Sequence, residues 1–210
     1  MELRIFDWLV RIWWLFGGYI VLTTDKLDLH RKLNRLHTNF LDVLAQILTH
    51  VGDGFFVLLI VVLMAFKSLQ KSLILLLIFL VSSGIAQFLK QVVFKTAMRP
   101  MHFFQSDETF HKIPDFTYFF YNSFPSGHST SIFALCTFLA LISNKWWQQI
   151  LLFLVAPIIA LTRVYLSQHF FEDVLIGSFI GFFTAKYIFT YTLSPLEKWD
   201  KSVKDILRKS

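Results

Sequence analysis

Three short clusters in this 210-residue chain hold side chains that could do chemistry together. The first runs from Lys90 to Arg99-Pro100, the second is Pro125-Ser126-Gly127-His128, and the third runs from Arg163 through His169 to Asp173. His169 and Asp173 are spaced so that a helix places them on one face. A carboxylate that accepts from one imidazole nitrogen fixes the tautomer and leaves the other nitrogen basic or nucleophilic. A salt-bridged pair at a helix start reads the same two residues without chemistry. Ser126-Gly127-His128 opens a helix, so free backbone N–H groups and the helix dipole face outward toward an anion. Gly127 lets a ligand approach the backbone closely. A Ser-capped helix start with a bystander His128 is the plainer alternative. Near the membrane, Arg163 suits bidentate phosphate binding better than a bare point charge does. Lysines and arginines with two histidines and one aspartate fit phosphoryl transfer. The cations neutralise the phosphoryl oxygens, one histidine attacks, and the other handles the leaving group's proton.

The elements that must position these residues are apolar. The chain is 55% hydrophobic, 18% aromatic and only 16% charged, with 25 phenylalanines. Soluble domains carry about 25% charged residues and about 45–50% apolar ones. Disorder is excluded by the aromatic content, and a disulfide scaffold by the single cysteine, Cys136, which reads as packing. A bilayer core about 30 Å thick needs about 20 mostly apolar helical residues. The clearest spans are Ser72–Leu89, Trp147–Leu166 and Asp173–Leu193. Ser129–Ser143 is short and is expected to begin earlier, and Phe55–Phe66 must extend back through Gly52, Asp53 and Gly54. Trp8–Leu22, which carries Arg11, completes six. The expectation is an all-α integral membrane bundle of six transmembrane helices, a single domain over residues 1–210. The opening MELRIFDWLV has acids before its apolar run and no small-residue cleavage site, so the first span is expected to stay.

Six spans place both termini on one side. Residues 23–51, 90–128 and 163–173 fall on the other, so all three clusters share one membrane face. The terminal side carries ten Lys/Arg and the cluster side nine, with Lys186 inside the last span. The balance becomes ten against six when Lys90, Arg99 and Arg163 are set aside as site residues, and the positive-inside tendency then puts the termini in the cytoplasm. The net charge of +6 is read as basic flanks of membrane spans, with no nucleic-acid partner. Residues 101–122 are rich in aromatics, from Phe103 to Tyr121, which suits either packing on the bundle or a lid at the membrane–water interface.

The chain resembles the type-2 phosphatidic acid phosphatase superfamily, which is related to the vanadium haloperoxidases. That family's pattern is Lys-x6-Arg-Pro, then Pro-Ser-Gly-His, then Ser-Arg-x5-His-x3-Asp. Here the stretches are KQVVFKTAMRP at Lys90–Pro100, PSGH at Pro125–His128 and TRVYLSQHFFED at Thr162–Asp173. Thr162 replaces the leading Ser and keeps the hydroxyl. The first motif departs from the pattern: eight residues separate Lys90 from Arg99, and Lys95 is too close. Lys90 is preferred because it ends the third span. The resemblance implies that His169 forms a phosphohistidine, held by Asp173, and that His128 protonates the leaving group and then activates water. It implies that Lys90, Arg99, Ser126, Gly127 and Arg163 bind the phosphate, with no metal or other cofactor. The remaining histidines, His30, His37, His50, His102 and His111, lack zinc-type spacing, so no metal site is expected.

The leading reading is a metal-independent membrane phosphatase acting on a lipid phosphomonoester or diphosphate. Candidate substrates are phosphatidate, phosphatidylglycerol phosphate, undecaprenyl diphosphate or lipid A. The resemblance suggests a bacterial inner membrane, with the site on the outer face. Lipid-to-lipid phosphotransfer would use the same residues. A non-catalytic transporter would scatter charges inside the spans, which are nearly clean apart from Lys186. Oligomeric state is not readable from the sequence.

Overall fold

In a computed structural model, residues 5–192 are described, and among them helices are the only regular element. Helix α1 is Ile5–Thr23, α2 Lys26–Asn34, α3 Asn39–Leu48, α4 Gly54–Ala65 and α5 Leu69–Phe88. Then come α6 Pro100–Phe104, α7 Gly127–Ile142, α8 Trp146–Tyr165 and α9 Phe171–Thr192. Each of the six expected spans falls on one of α1, α4, α5, α7, α8 and α9. Leu193, the expected end of the last, and Arg4, Lys198, Lys201, Lys204, Arg208 and Lys209, counted on the terminal side, lie outside the described residues.

The count of full spans differs from six. Four helices (α1, α8, α9, and α5 with its continuation to Val93) are long and apolar enough to cross a membrane, and a bent pair makes five. Helix α7 has 16 residues, about 24 Å at 1.5 Å per residue, short of a bilayer core. The reason is its place in the bundle. It packs against α4, α5, α8 and α9 and is buried on nearly every side, so protein surrounds it where lipid surrounds the others. Its polar positions Ser129, Thr130 and Thr137 are buried without facing hydrocarbon. Glycines let α9 come this close. A Cβ at Gly177 would lie 2.6 Å from the Ser126 carbonyl oxygen, and one at Gly181 would fall on the carbonyl of Thr130.

Residues 23–51, expected as a connecting stretch, instead form two further helices. Asp25 caps α2 by accepting from the Leu27 and Asp28 amides, and Thr38 caps α3 through the Leu41 amide. Helix α3 is apolar but only ten residues long, so a span-length window passes over it. The expected continuous extension of α4 back through Gly52, Asp53 and Gly54 is also replaced by a break. The segment Asn39–Gly52 meets α4 at an angle of 52°, through a 3-10 turn at Thr49–Gly52 and an extended Asp53. Gly52 lies close against its neighbours at this corner: a Cβ there would meet His128 at 3.2 Å and Ile159 at 3.3 Å.

Lys186, the one basic residue inside the last span, donates to Asp7 of α1 at 2.7 Å, so the part-buried cation has a partner. Trp14 stacks on Phe179 with ring centroids 4.0 Å apart and donates to Ser178 at 2.9 Å, fixing α1 to α9. Leu15, Phe16, Phe55, Leu80, Leu154 and Phe183 point outward, an apolar belt that only lipid can cover. In the aromatic loop Phe104 and Phe110 stack at 4.4 Å and are buried. That portion packs on the bundle, while Phe119, Phe120 and Tyr121 remain exposed.

Candidate active site

The end of α5, the start of α7, the end of α8 and the start of α9 converge at one end of the bundle. Between α8 and α9 the chain turns sharply, and the amides of Gln168 and His169 both donate to the Arg163 carbonyl, at 2.9 and 3.2 Å. Ser167 makes the turn in the left-handed region, at φ 53°. It is held there by a hydrogen bond between its hydroxyl and His30 Nε2 at 3.1 Å. His30 is itself wedged beside Phe104 and Phe110, and burial pushes its pKa down to about 4.

His169 and Asp173 are brought together as their spacing implied. His169 Nδ1 lies 3.2 Å from Asp173 Oδ2, and both side chains are 2% exposed. The same oxygen accepts from the Phe170 amide at 3.0 Å and from the Ser123 hydroxyl at 2.5 Å. Burial, then the positive charges of Arg99, Lys90 and Arg163, hold the His169 pKa well below the ordinary histidine range. A hydrogen bond to the Ser123 backbone offsets this only in part. His169 is therefore neutral at pH 7. With Nδ1–H assigned as donor to Asp173, Nε2 carries the free lone pair.

The cations differ in what they have left to give. Arg99 Nε donates to the Tyr121 carbonyl and Nη2 to the Asn122 carbonyl. Its Nη1 serves both the carbonyl and the side-chain oxygen of Gln168. Of five guanidinium N–H groups, one on Nη2 remains. Arg99 thus ties the aromatic loop to the turn carrying His169 while adding charge to the site. Arg163 is less committed: Nη1 donates to Thr49 Oγ1 at 2.9 Å, and its buried Nε has no partner. Lys90 is half-buried within the electrostatic reach of Arg99, Arg163 and Asp173, whereas Lys95 is exposed. Lys90 sits in a π turn over Leu89–Val93, which absorbs part of the longer spacing before Arg99.

Ser126 is fully buried. Its hydroxyl caps α7 through the Ser129 amide and its own amide donates to the Asp173 carbonyl. Gly127 has open space beside it. His128 Nε2 lies 2.6 Å from Asp53 Oδ1, and His50 Nδ1 lies 2.9 Å from Asp53 Oδ2. An open cleft of about 430 Å³ leads in from solvent, bordered by Thr49, Asp53, Phe119, His128, Arg163 and Gln168. His128 and Arg163 border it, whereas His169, Lys90 and Arg99 do not, and His169 is buried. His102 packs on Phe103 and Tyr121.

Four contributors went unnoticed in the sequence: Asp53, Thr49, Ser123 and Gln168. Asp53 had a signal, since an acid between two glycines inside an apolar run marks a helix break. The others are common residues whose roles depend on the fold.

A buried His–Asp pair within electrostatic reach of three cations thus lies in a bundle of membrane-length helices. The PAP2 superfamily model matches residues 71–195, and the chain belongs to that superfamily. The family match and the fold together make it an integral membrane protein of the PAP2 phosphatase family. The structure is similar to LpxE of Aquifex aeolicus, with a TM-score of 0.69 and 24% identity over 81% of this chain and 99% of that one. It is also similar to the first transmembrane PAP2 type phosphatidylglycerolphosphate phosphatase from Bacillus subtilis. That match has a TM-score of 0.64 and 22% identity over 87% of this chain and 93% of that one. No curated protein sequence matches the chain.

Proposed function

We propose that this chain is a single-domain lipid phosphatase that removes a phosphate from a lipid monophosphate or diphosphate through a phosphohistidine at His169. The observation that carries the reading is the neutral, buried His169, oriented by Asp173 and surrounded by Lys90, Arg99 and Arg163. The unpartnered Nε of Arg163 is a donor suited to a phosphate oxygen.

In the first step the His169 Nε2 lone pair forms the N–P bond while the P–O bond to the lipid breaks. His128, protonated as the phosphate anion binds beside it, gives its proton to the departing oxygen, and Asp53 stabilises the protonated imidazole before transfer. In the second step water attacks phosphorus, His128 takes the water proton, and the N–P bond breaks to restore neutral His169. Lys90, Arg163 and the open side of Gly127 hold the phosphoryl oxygens. Ser126 supports them by capping α7, and Arg99 through charge and its one free N–H. None of these steps uses a metal. The substrate class is phosphatidate, phosphatidylglycerol phosphate, undecaprenyl diphosphate or lipid A, with the tail entering between helices. The site opens on the outer face of a bacterial inner membrane, and the termini are cytoplasmic.

Purified protein in detergent, given a panel of these lipids, should release inorganic phosphate from at least one. It should form an acid-labile phosphoprotein that is absent from His169→Ala, while chelators leave phosphate release intact and vanadate inhibits it. Phosphate release by folded His169→Ala, or its loss from the wild type on chelation, would refute the reading. Transfer to a second lipid without free phosphate would favour a phosphotransferase.

A further inference from the structure

A second group of titratable side chains lies outside the cleft, drawn from three separate parts of the chain. His37 comes from the turn between α2 and α3, Asp42 from the first turn of α3, and His111 from the aromatic loop. Asp42 Oδ1 is 2.7 Å from His37 Nδ1, and Asp42 Oδ2 is 2.8 Å from His111 Nε2. One nitrogen from each ring and one carboxylate oxygen all lie within 4.8 Å of one another. The Tyr165 hydroxyl donates to Asp42 Oδ1 at 2.7 Å.

We propose that His37, Asp42 and His111 bind a divalent transition-metal ion, zinc by preference, which clamps the aromatic loop to the α2–α3 turn. The donor set suits that class. Imidazole with carboxylate favours zinc and its neighbours, whereas calcium and magnesium prefer oxygen alone. The charge balance points the same way. Asp42 is 8% exposed and, among the described residues, forms no ion pair with a lysine or arginine, so a dication would complete the site. His37 is buried, and its Nε2 has no hydrogen-bond partner. The ring therefore keeps a nitrogen free beyond the one facing Asp42.

The surrounding contacts hold the ligands in place, as outer-shell partners of metal sites do. Asn34 brackets the His111 backbone, accepting from its amide at 2.9 Å and donating to its carbonyl at 3.0 Å. Gln46 donates to the Asp42 carbonyl, and the Thr38 amide donates to Tyr165 Oη. His111 is 37% exposed, which leaves a route from solvent. Tyr165 or water can supply a fourth ligand. Just beyond His111 in the chain, Asp115, Phe116 and Thr117 border the cleft. A metal here would fix the roof of that opening without touching the reacting groups.

The test uses the tag-free full chain in detergent, stripped with a chelator and titrated with zinc chloride. Bound metal is counted after gel filtration, and the melting temperature is followed. About one zinc per chain is expected, with a rise of about 5–10 °C at a free concentration of 100 times Kd. His111→Ala should bind none and show no rise in melting temperature on adding zinc. His128→Ala should keep the zinc, which separates this site from the His50–Asp53–His128 cluster. Absence of stoichiometric zinc from the wild type, retention by His111→Ala, or loss from His128→Ala would each overturn the proposal. Should His111→Ala fail to fold, cobalt(II) in the wild type decides. A low-symmetry ligand-field spectrum supports the site, and an aqua-ion spectrum overturns it. None of these readouts depends on the phosphatase reading.

Discussion

Replacing Asp173 by Asn tests how the carboxylate assists His169. All three hydrogen bonds to the Asp173 carboxylate end on one oxygen, Oδ2: the Ser123 hydroxyl, the Phe170 amide and His169 Nδ1. An Asn amide NH2 placed there would face three donors, so the side chain will set its carbonyl oxygen at that position. The hydrogen bonds, and with them the His169 tautomer, survive; only the negative charge is lost. A full positive charge on His169 at 3.2 Å from that oxygen would interact by about 5 kcal/mol at an effective dielectric of about 20. With roughly half of the charge developed in the transition state, the loss is about 2–3 kcal/mol. That lowers kcat about 30- to 160-fold at 1.36 kcal/mol per decade. Asp173→Ala should be worse, because it also frees the tautomer and leaves buried donors unpaired. The assay is phosphate release under saturating lipid, with melting temperature as the folding control. Activity of Asp173→Asn within about threefold of wild type would refute a charge role for Asp173. Loss as complete as in His169→Ala, with the fold intact, would refute the retained tautomer.

Two further outcomes concern the scaffold. Gly181→Ala places a Cβ on backbone atoms of Thr130 and Ala134, neither of which can rotate away; it should cost about 1–3 kcal/mol and lower the melting temperature, whereas Gly84→Ala, where a Cβ meets nothing within 4 Å, should not. His30, with its pKa pushed down to about 4 in the fold, binds its proton more readily when unfolded. Stability is thus fully present above pH 6.5 and lost as pH falls through 4, by up to about 3 kcal/mol. Melting curves between pH 7 and pH 4 should slope less in His30→Gln, and an unchanged slope would refute the assignment.

The apolar helices were legible because lipid and core both demand continuous hydrophobic runs, and each expected span falls on a helix. Helix α3 was not, since ten residues satisfy no span criterion and its value lies in carrying Asp42 and the Asp53 corner. The three clusters were readable because each is local: His169 meets Asp173 one helical turn away. What spacing could not convey is how a donor is spent. Arg99 stands in a phosphate-binding position by motif, yet carbonyls of Tyr121, Asn122 and Gln168 occupy most of its guanidinium. His37 and His111 lie far apart in sequence, so only the fold makes them neighbours.

Charge compensation separates the site from the scaffold. In an apolar bundle a buried charge is costly unless matched. Lys186 meets Asp7, and Lys26 at the bundle's edge meets Glu172. Among the described residues no carboxylate forms an ion pair with Lys90, Arg99 or Arg163. Asp173, the nearest buried acid, spends its oxygen on Ser123, Phe170 and His169. Three cations therefore share a small volume with two carboxylates, Asp173 and, within electrostatic reach of Arg163, Asp53. The cations still outnumber the carboxylates, which favours a bound phosphate, with Arg163 Nε waiting as a donor. Burial first, and then the same excess, keeps His169 unprotonated and so nucleophilic. The cations thus serve both binding and activation, and neutralising a single one should weaken phosphate affinity and raise the His169 pKa together.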